Sequence, residues 1–118
     1  MIILEVPQSA LFDIFESKSI QQGMKHDAPG AVTLQLDRMP MEKRHLPYVA
    51  AMATIFVTVG SGVAINLFSS WLYEKLKADK VGRAMGVTKI RINETEVEID
   101  PDAIRRVIIR SIEIEHRN

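Results

Sequence analysis

Residues Tyr48 to Tyr73, YVAAMATIFVTVGSGVAINLFSSWLY, carry no charged side chain, and charge returns only at Glu74 and Lys75. No other apolar run in the chain is as long. The rest of the sequence must pack against it or leave it to a membrane. As a helix its about 26 residues would reach about 39 Å at ~1.5 Å per residue. That is enough to cross a bilayer core of about 30 Å. Tyr48 at one end, with Trp71 and Tyr73 at the other, would form an aromatic belt, and Lys43 and Arg44 would mark the cytoplasmic flank.

The run is not uniformly apolar, because Thr54, Thr58, Ser61, Asn66, Ser69 and Ser70 lie inside it. On a helical wheel Val49, Met52, Phe56, Val59, Val63, Leu67 and Trp71 gather on one side. Ala51, Thr54, Thr58, Ser61, Gly62 and Ser69 gather on the other. A lipid-exposed helix gains nothing from this division unless it dimerises through its small face. A helix laid across a sheet does gain from it. The division therefore predicts a long central core helix, with the small stripe as a surface for close approach or self-association. Gly60, Ser61 and Gly62 become a close-packing or kink site, since each glycine costs a helix about 1 kcal/mol relative to alanine. The alternative is a small single-span protein of the inner membrane, anchored by residues 48–73.

With 118 residues the chain has room for one modest core, so residues 1–118 are expected to form a single domain. The 15 lysines and arginines balance 15 aspartates and glutamates. That balance argues against nucleic acid as a partner, because phosphate binding wants surplus positive charge. The absence of cysteine removes disulfides, thiol catalysis and thiolate metal sites, and fits a reducing, cytoplasmic setting. The opening MIILEV lacks a positive n-region and runs into Glu5 and Pro7, so it reads as a strand and not as a signal peptide.

Local signals then order the chain. Ile2 to Val6 predicts a first strand closed by Pro7. Ser9 can cap a helix over about 9–22 with Leu11, Ile14 and Phe15 on one face and Gly23 as its terminator. Met24 to Gly30 reads as a loop punctuated by Pro29-Gly30. Ala31 to Leu36 alternates as a half-buried strand. Asp37 to Pro47 is a polar connection, and Gly82 to Gly86 should stop the helix that follows the apolar run.

Thr88 to Asp100 predicts a β-hairpin turning at Asn93 and Glu94. Its register sets Ile90, Ile92, Val97 and Ile99 on one face. On the other face Lys89 opposes Glu98 and Arg91 opposes Glu96. Such opposite-charge pairs contribute roughly 0.2–1 kcal/mol each, and a one-residue slip would destroy both faces at once. Asp100-Pro101 is a helix start, a capping carboxylate before proline at the first helical position. Ile104, Val107, Ile108 and Ile112 form the inward stripe of that helix, with Arg105, Arg106 and Arg110 outward. The tail from Glu113 could fray or pair as an edge. The expected fold is thus α+β: a small mixed sheet with a β-hairpin, packed against a long central apolar helix and two shorter amphipathic helices.

The Gly60-Ser61-Gly62 step, then Leu67 and Trp71-Leu72, then the hairpin from Lys89 to Ile99, resemble the effector-associated constant component of bacterial conflict systems, over residues 48–110. The resemblance implies a non-catalytic adaptor that couples an effector to its system. A toxin-immunity protein would have a similar size and similarly few motifs.

No residue set announces a reaction, and the chain is expected not to be an enzyme and to need no cofactor or metal. His26 with Asp27 could act as a base with its orienter, but no cluster of metal ligands stands near it, and solvated loop residues are the simpler reading. His45 and His116 stand alone in sequence. Gly60-Ser61-Gly62 lacks the frame of a nucleophile elbow, and Gly82 to Gly86 lacks the length and lysine of a phosphate-binding loop. What remains is surface charge. Glu94, Glu96 and Glu98 make an acidic edge that a basic partner could meet, or that simply protects an edge strand. Arg105, Arg106 and Arg110 could bind an anion or lie solvated. These six are the candidate partner-binding residues, and the expected partner is a protein, a toxin or an effector.

Overall fold

The computed structural model describes residues 1–38 and 52–115. Burial alternates along every long strand, as a sheet with one covered face requires. Strand β1 (Ile2–Pro7) turns Ile2, Leu4 and Val6 inward. A short 3-10 turn, Gln8–Ala10, leads into the one-turn helix α1 (Leu11–Ile14). Strands β2 (Lys25–Ala28) and β3 (Val32–Arg38) form a hairpin, with Val32, Leu34 and Leu36 inward. Strand β4 (Met52–Val59) buries Ala53, Ile55 and Val57.

Helices α2 (Ile65–Ala78) and α3 (Lys80–Ala84) follow. Strands β5 (Lys89–Ile92) and β6 (Thr95–Glu98) form the second hairpin, and helix α4 (Pro101–Glu115) closes the described chain. The six strands lie in the order β2-β3-β4-β1-β5-β6, and each described pairing is antiparallel.

The inward side chains of the sheet form one core with Leu11 and Ile14 of α1, Phe68, Leu72 and Leu76 of α2, and Ile104, Ile108 and Ile112 of α4. Each large aliphatic or aromatic side chain so buried contributes roughly 1.5–3 kcal/mol relative to exposure. The helices therefore cover one face of the sheet. Its other face carries Ile3, Glu5, Gln35, Thr54, Phe56 and Arg91, all partly or fully exposed.

The α+β class is as the sequence predicts, but the long central helix is not there. Residues 52–59 are a strand flanked by β1 and β3, and the helix begins only at Ile65. The cause is visible in MATIFVTV. Five of its residues, Thr54, Ile55, Val57, Thr58 and Val59, are β-branched, which suits a pleated and buried surface. The supposed bulky stripe dissolves accordingly: Leu67 is 55% exposed, while its neighbour Phe68 is 2% exposed and carries the α2 contact. Among the described residues no helix is long and apolar enough to cross a membrane. Tyr48 to Ala51, with Lys43, Arg44, His45 and Pro47, lie outside the described residues.

Two shorter elements also differ. The helix expected over 9–22 stops after Ile14, because Glu16 takes a positive φ of 50° and the Ser17 hydroxyl then organises a turn with Ser19. The expected loop before Gly30 contains β2, held by its register with β3 and not by any apolar pattern of its own. The sheet is antiparallel where a mixed one was expected. The tail continues α4 as far as Glu115, and residues 116–118 lie outside the described residues.

Gly60, Ser61 and Gly62 do not lie in a helix, although Gly60 is closely packed: a β-carbon there would lie 3.3 Å from the Ala31 carbonyl oxygen, which accepts from the Gly60 amide at 2.8 Å. They turn the chain from β4 into α2, with Ser61 and Gly62 exposed and open space around the Gly62 α-carbon. A tighter approach than that of Gly60 occurs at Gly30. Its φ is +90°, and a β-carbon there would lie 2.7 Å from the backbone oxygen of Ala64, whose amide donates to the Gly30 carbonyl at 3.0 Å. Gly30→Ala is therefore expected to cost about 2–3 kcal/mol, from strain plus displacement of the α2 entry. Gly62→Ala, with φ of +73° and no neighbour, should cost only about 1 kcal/mol. Urea unfolding of the two variants checks this, and equal losses would contradict it.

Candidate functional site

The hairpin forms in the register read from sequence: Lys89 opposes Glu98, Ile90 opposes Val97, Arg91 opposes Glu96 and Ile92 opposes Thr95. Asn93 and Glu94 have φ of 49° and 69°, the paired positive values of a tight two-residue turn that follows the strand twist. Asn93 also anchors the turn to β1. Its amide donates to the Ile3 carbonyl at 2.8 Å, and its side-chain oxygen accepts from the Ile3 amide at 2.8 Å. The Arg91 guanidinium reaches Glu5 on β1 at 3.4 Å, although Glu96 stands opposite it in register.

Helix α4 starts as expected, the Asp100 carboxylate accepting from the Ala103 amide at 2.9 Å. Burying Ile104, Ile108 and Ile112 fixes the helix rotation. That rotation carries Ala103, Val107 and Arg110, spaced by four and three residues, along one flank beside β6. Between β6 and this flank runs a groove of about 200 Å³ lined by Glu96, Val97 and Glu98 from the strand and Ala103, Arg106, Val107 and Arg110 from the helix. Val97 is buried, Ala103 and Val107 are half-buried, and the two arginines are exposed.

Four of the six charged candidates thus meet at one place. Glu94 sits exposed in the turn, and Arg105 is half-buried; neither lines the groove. Among the described residues no ion pair engages Glu96, Glu98, Arg106 or Arg110. Arg106 donates instead through Nε to the Asp102 carbonyl at 3.4 Å.

Two further features had no signal in the sequence. An open cavity of about 600 Å³ lies where α2, α3 and the outer ends of β5 and β6 converge. Leu76, Val87 and Ile99 form its apolar wall, and Tyr73, Lys77, Arg83, Thr88 and Glu98 its polar one. Lys77 sits 5.9 Å from the Tyr73 ring centroid, and Arg83 donates to the Lys77 carbonyl at 3.2 Å. Behind this cavity the buried Asp79 carboxylate accepts from the Ser9 hydroxyl at 2.7 Å and from the Gly82 amide at 3.1 Å. Those bonds cap α3 and spend both oxygens structurally. Gly86, at φ +81°, follows α3, so the glycines of residues 82–86 serve helix geometry.

His26 does not pair with Asp27. Its Nε2 lies 2.9 Å from Glu16, its ring stacks on Trp71 at 6.3 Å, and Asp27 accepts from the Thr33 hydroxyl at 3.3 Å. Lys75 donates to the other Glu16 oxygen at 3.2 Å. The result is a surface cluster of a carboxylate between two nitrogen bases over an aromatic ring, with Lys75 5.9 Å from the Trp71 centroid. Among the described residues no group of three metal-ligating side chains converges; His45 and His116 lie outside them.

No protein-family model, curated protein or solved structure matches the chain.

The Lys75 ammonium, through its hydrogen bond and its charge, holds the Glu16 carboxyl below its ordinary value of 4.5 despite some desolvation, and His26 adds in the same direction. A carboxyl depressed in the folded state adds stability above its unfolded value and loses that stability as pH falls through the folded one. The Glu16–Lys75 pair should therefore hold at neutral pH and weaken only in acid. A carbon-detected NMR titration is expected to place the Glu16 midpoint below 4.5 and to raise it in Lys75→Met. A midpoint unchanged by that substitution would contradict the assignment.

Proposed function

We propose that the chain is a non-catalytic protein-interaction module, of adaptor or immunity type, that binds a partner protein through the β6–α4 side. The observation that carries this reading is the apolar-floored groove between β6 and α4, with Arg106 and Arg110 on its helix side and the glutamates of β6, Glu96 and Glu98, directed to the opposite face of the strand. Two elements with unrelated local signals present these charges, and no internal ion pair among the described residues absorbs them. Opposite charges on the two sides of a small apolar floor are the composition of a selective protein contact, with charge choosing the partner and apolar burial holding it.

The resemblance to the effector-associated constant component supplies the class of partner, a toxin or an effector protein. The Glu16–His26–Lys75 cluster stays outside this role. Surface ion pairs of this kind usually serve local order.

Co-expression with the product of the neighbouring reading frame tests the proposal. A stable complex is expected to co-purify. The double reversal Arg106→Glu with Arg110→Glu should weaken it by about tenfold or more, as loss of two interfacial charges commonly does, while circular dichroism stays unchanged. Failure to co-purify, or a complex indifferent to the reversal, would overturn the assignment of this surface.

A further inference from the structure

Strand β6 is the last strand of the described sheet, and among the described residues only β5 pairs with it. Its backbone has a definite polarity. The Ile99 amide donates to the Thr88 carbonyl at 2.9 Å, so the hydrogen-bonded pairs of the hairpin fall at Thr88–Ile99, Ile90–Val97 and Ile92–Thr95. The residues between them, Glu96 and Glu98, direct their backbone groups away from β5. Asp100 uses the Glu98 carbonyl, its amide donating at 2.8 Å. The edge therefore offers the Glu96 amide, the Glu96 carbonyl and the Glu98 amide, beside the groove floored by Val97 and Val107.

Resting on the protein-interaction reading, we propose that β6 accepts an extended segment of the partner as a seventh strand, and that this segment alternates basic side chains with apolar or acidic ones. The pleat dictates the alternation. Val97 points to the helix side, so the Glu96 and Glu98 side chains point to the other side. Every second residue of an added strand would stand across from these carboxylates, where a lysine or arginine makes a favourable cross-strand pair. The residues between would enter the groove, over Val107 and within reach of Arg106 and Arg110. Main-chain bonds give such additions their affinity, and the alternate side chains give their specificity.

The charges also decide against a second copy of this chain as the occupant. Two β6 edges laid antiparallel would set glutamates against glutamates, and like charges directly opposite destabilise a pair.

The test uses the full chain and a capped synthetic octapeptide with lysine at every second position and valine and aspartate in turn between. Nitrogen-15 amide spectra are expected to shift at Thr95–Glu98 and Ala103–Arg110, and amide exchange at Glu96 and Glu98 should slow on saturation. N-methylation of the peptide amides that face β6 is expected to abolish binding. Glu96→Lys with Glu98→Lys should weaken it by about tenfold, two lost cross-strand pairs, and favour the peptide with glutamate in place of lysine. No binding, unchanged exchange at Glu96, equal binding of the N-methylated peptide, or sedimentation showing copies paired through β6 would each overturn the edge-strand proposal. The module reading fails separately, by absence of the co-purified complex, because that complex could form through α4 without any protection of the Glu96 amide.

Discussion

Strand β1 is the constraint on which the rest of the molecule depends. It pairs along its whole length with β4, Ile2 opposite Val57 through Pro7 opposite Met52, and on its other side with β5 at Leu4 and Glu5. Both ladders are non-local, so the first residues of the chain must wait for segments from its middle and its end. The reward is a strand with Ile2, Leu4 and Val6 nearly sealed from solvent and bonded on both sides. Asn93 completes the arrangement, adding two bonds to Ile3 where the β5 ladder runs out into the turn. Because β1 takes β5 as its second neighbour, β6 is pushed outward to become an edge. The exposed surface at β6 thus follows from how the centre of the sheet is closed.

The parts of the fold that could be read in the sequence are those whose signals are local. The hairpin register was written by two independent patterns, apolar on one face and opposite charges on the other, and a slip would break both. The Asp100-Pro101 start was equally local, and the Asp100 carboxylate makes the expected bond. The run from Tyr48 to Tyr73 misled because freedom from charge is shared by a buried strand and a buried helix. What separates them is the period. Ala53, Ile55 and Val57 alternate with Thr54, Phe56 and Thr58 among β-branched neighbours, and the pattern ends at Gly60. A helical wheel drawn across that break mixes two elements and produces a stripe that belongs to neither. Strand β2 was illegible for the opposite reason. Lys25, His26 and Asp27 have no strand pattern, and only β3 makes them one.

For the site, the sequence supplied the residue types but not their meeting. Glu96 and Glu98 were visible as an acidic alternation, and Arg106 and Arg110 as the outer face of a helix. That β6 and α4 would lie side by side depends on Val97, Ile104 and Ile108 sharing one core. Lys75 and Glu16 are further apart still, 59 positions along the chain. Nothing in either neighbourhood points to the other, because their contact is a by-product of α2 crossing near the α1 turn.

The segregation of charge at β6 and α4 is how, under the proposed strand addition, a chain with no net charge would present a selective surface. A pleated edge sends Glu96 and Glu98 to the side away from the helices, while the rotation of α4 keeps Arg106 and Arg110 on theirs. Direct neutralisation across the groove is therefore disfavoured by geometry, and none occurs among the described residues. Leaving these charges apart costs little, since each remains exposed to water and a surface ion pair would contribute only ~0–1 kcal/mol. The same separation matters more to an incoming strand, whose two faces would meet opposite signs. A segment in the wrong register would bring like charges together on both faces at once. Under that proposal selectivity would arise from the alternation of the edge itself, with the core-determined rotation of α4 setting its second half.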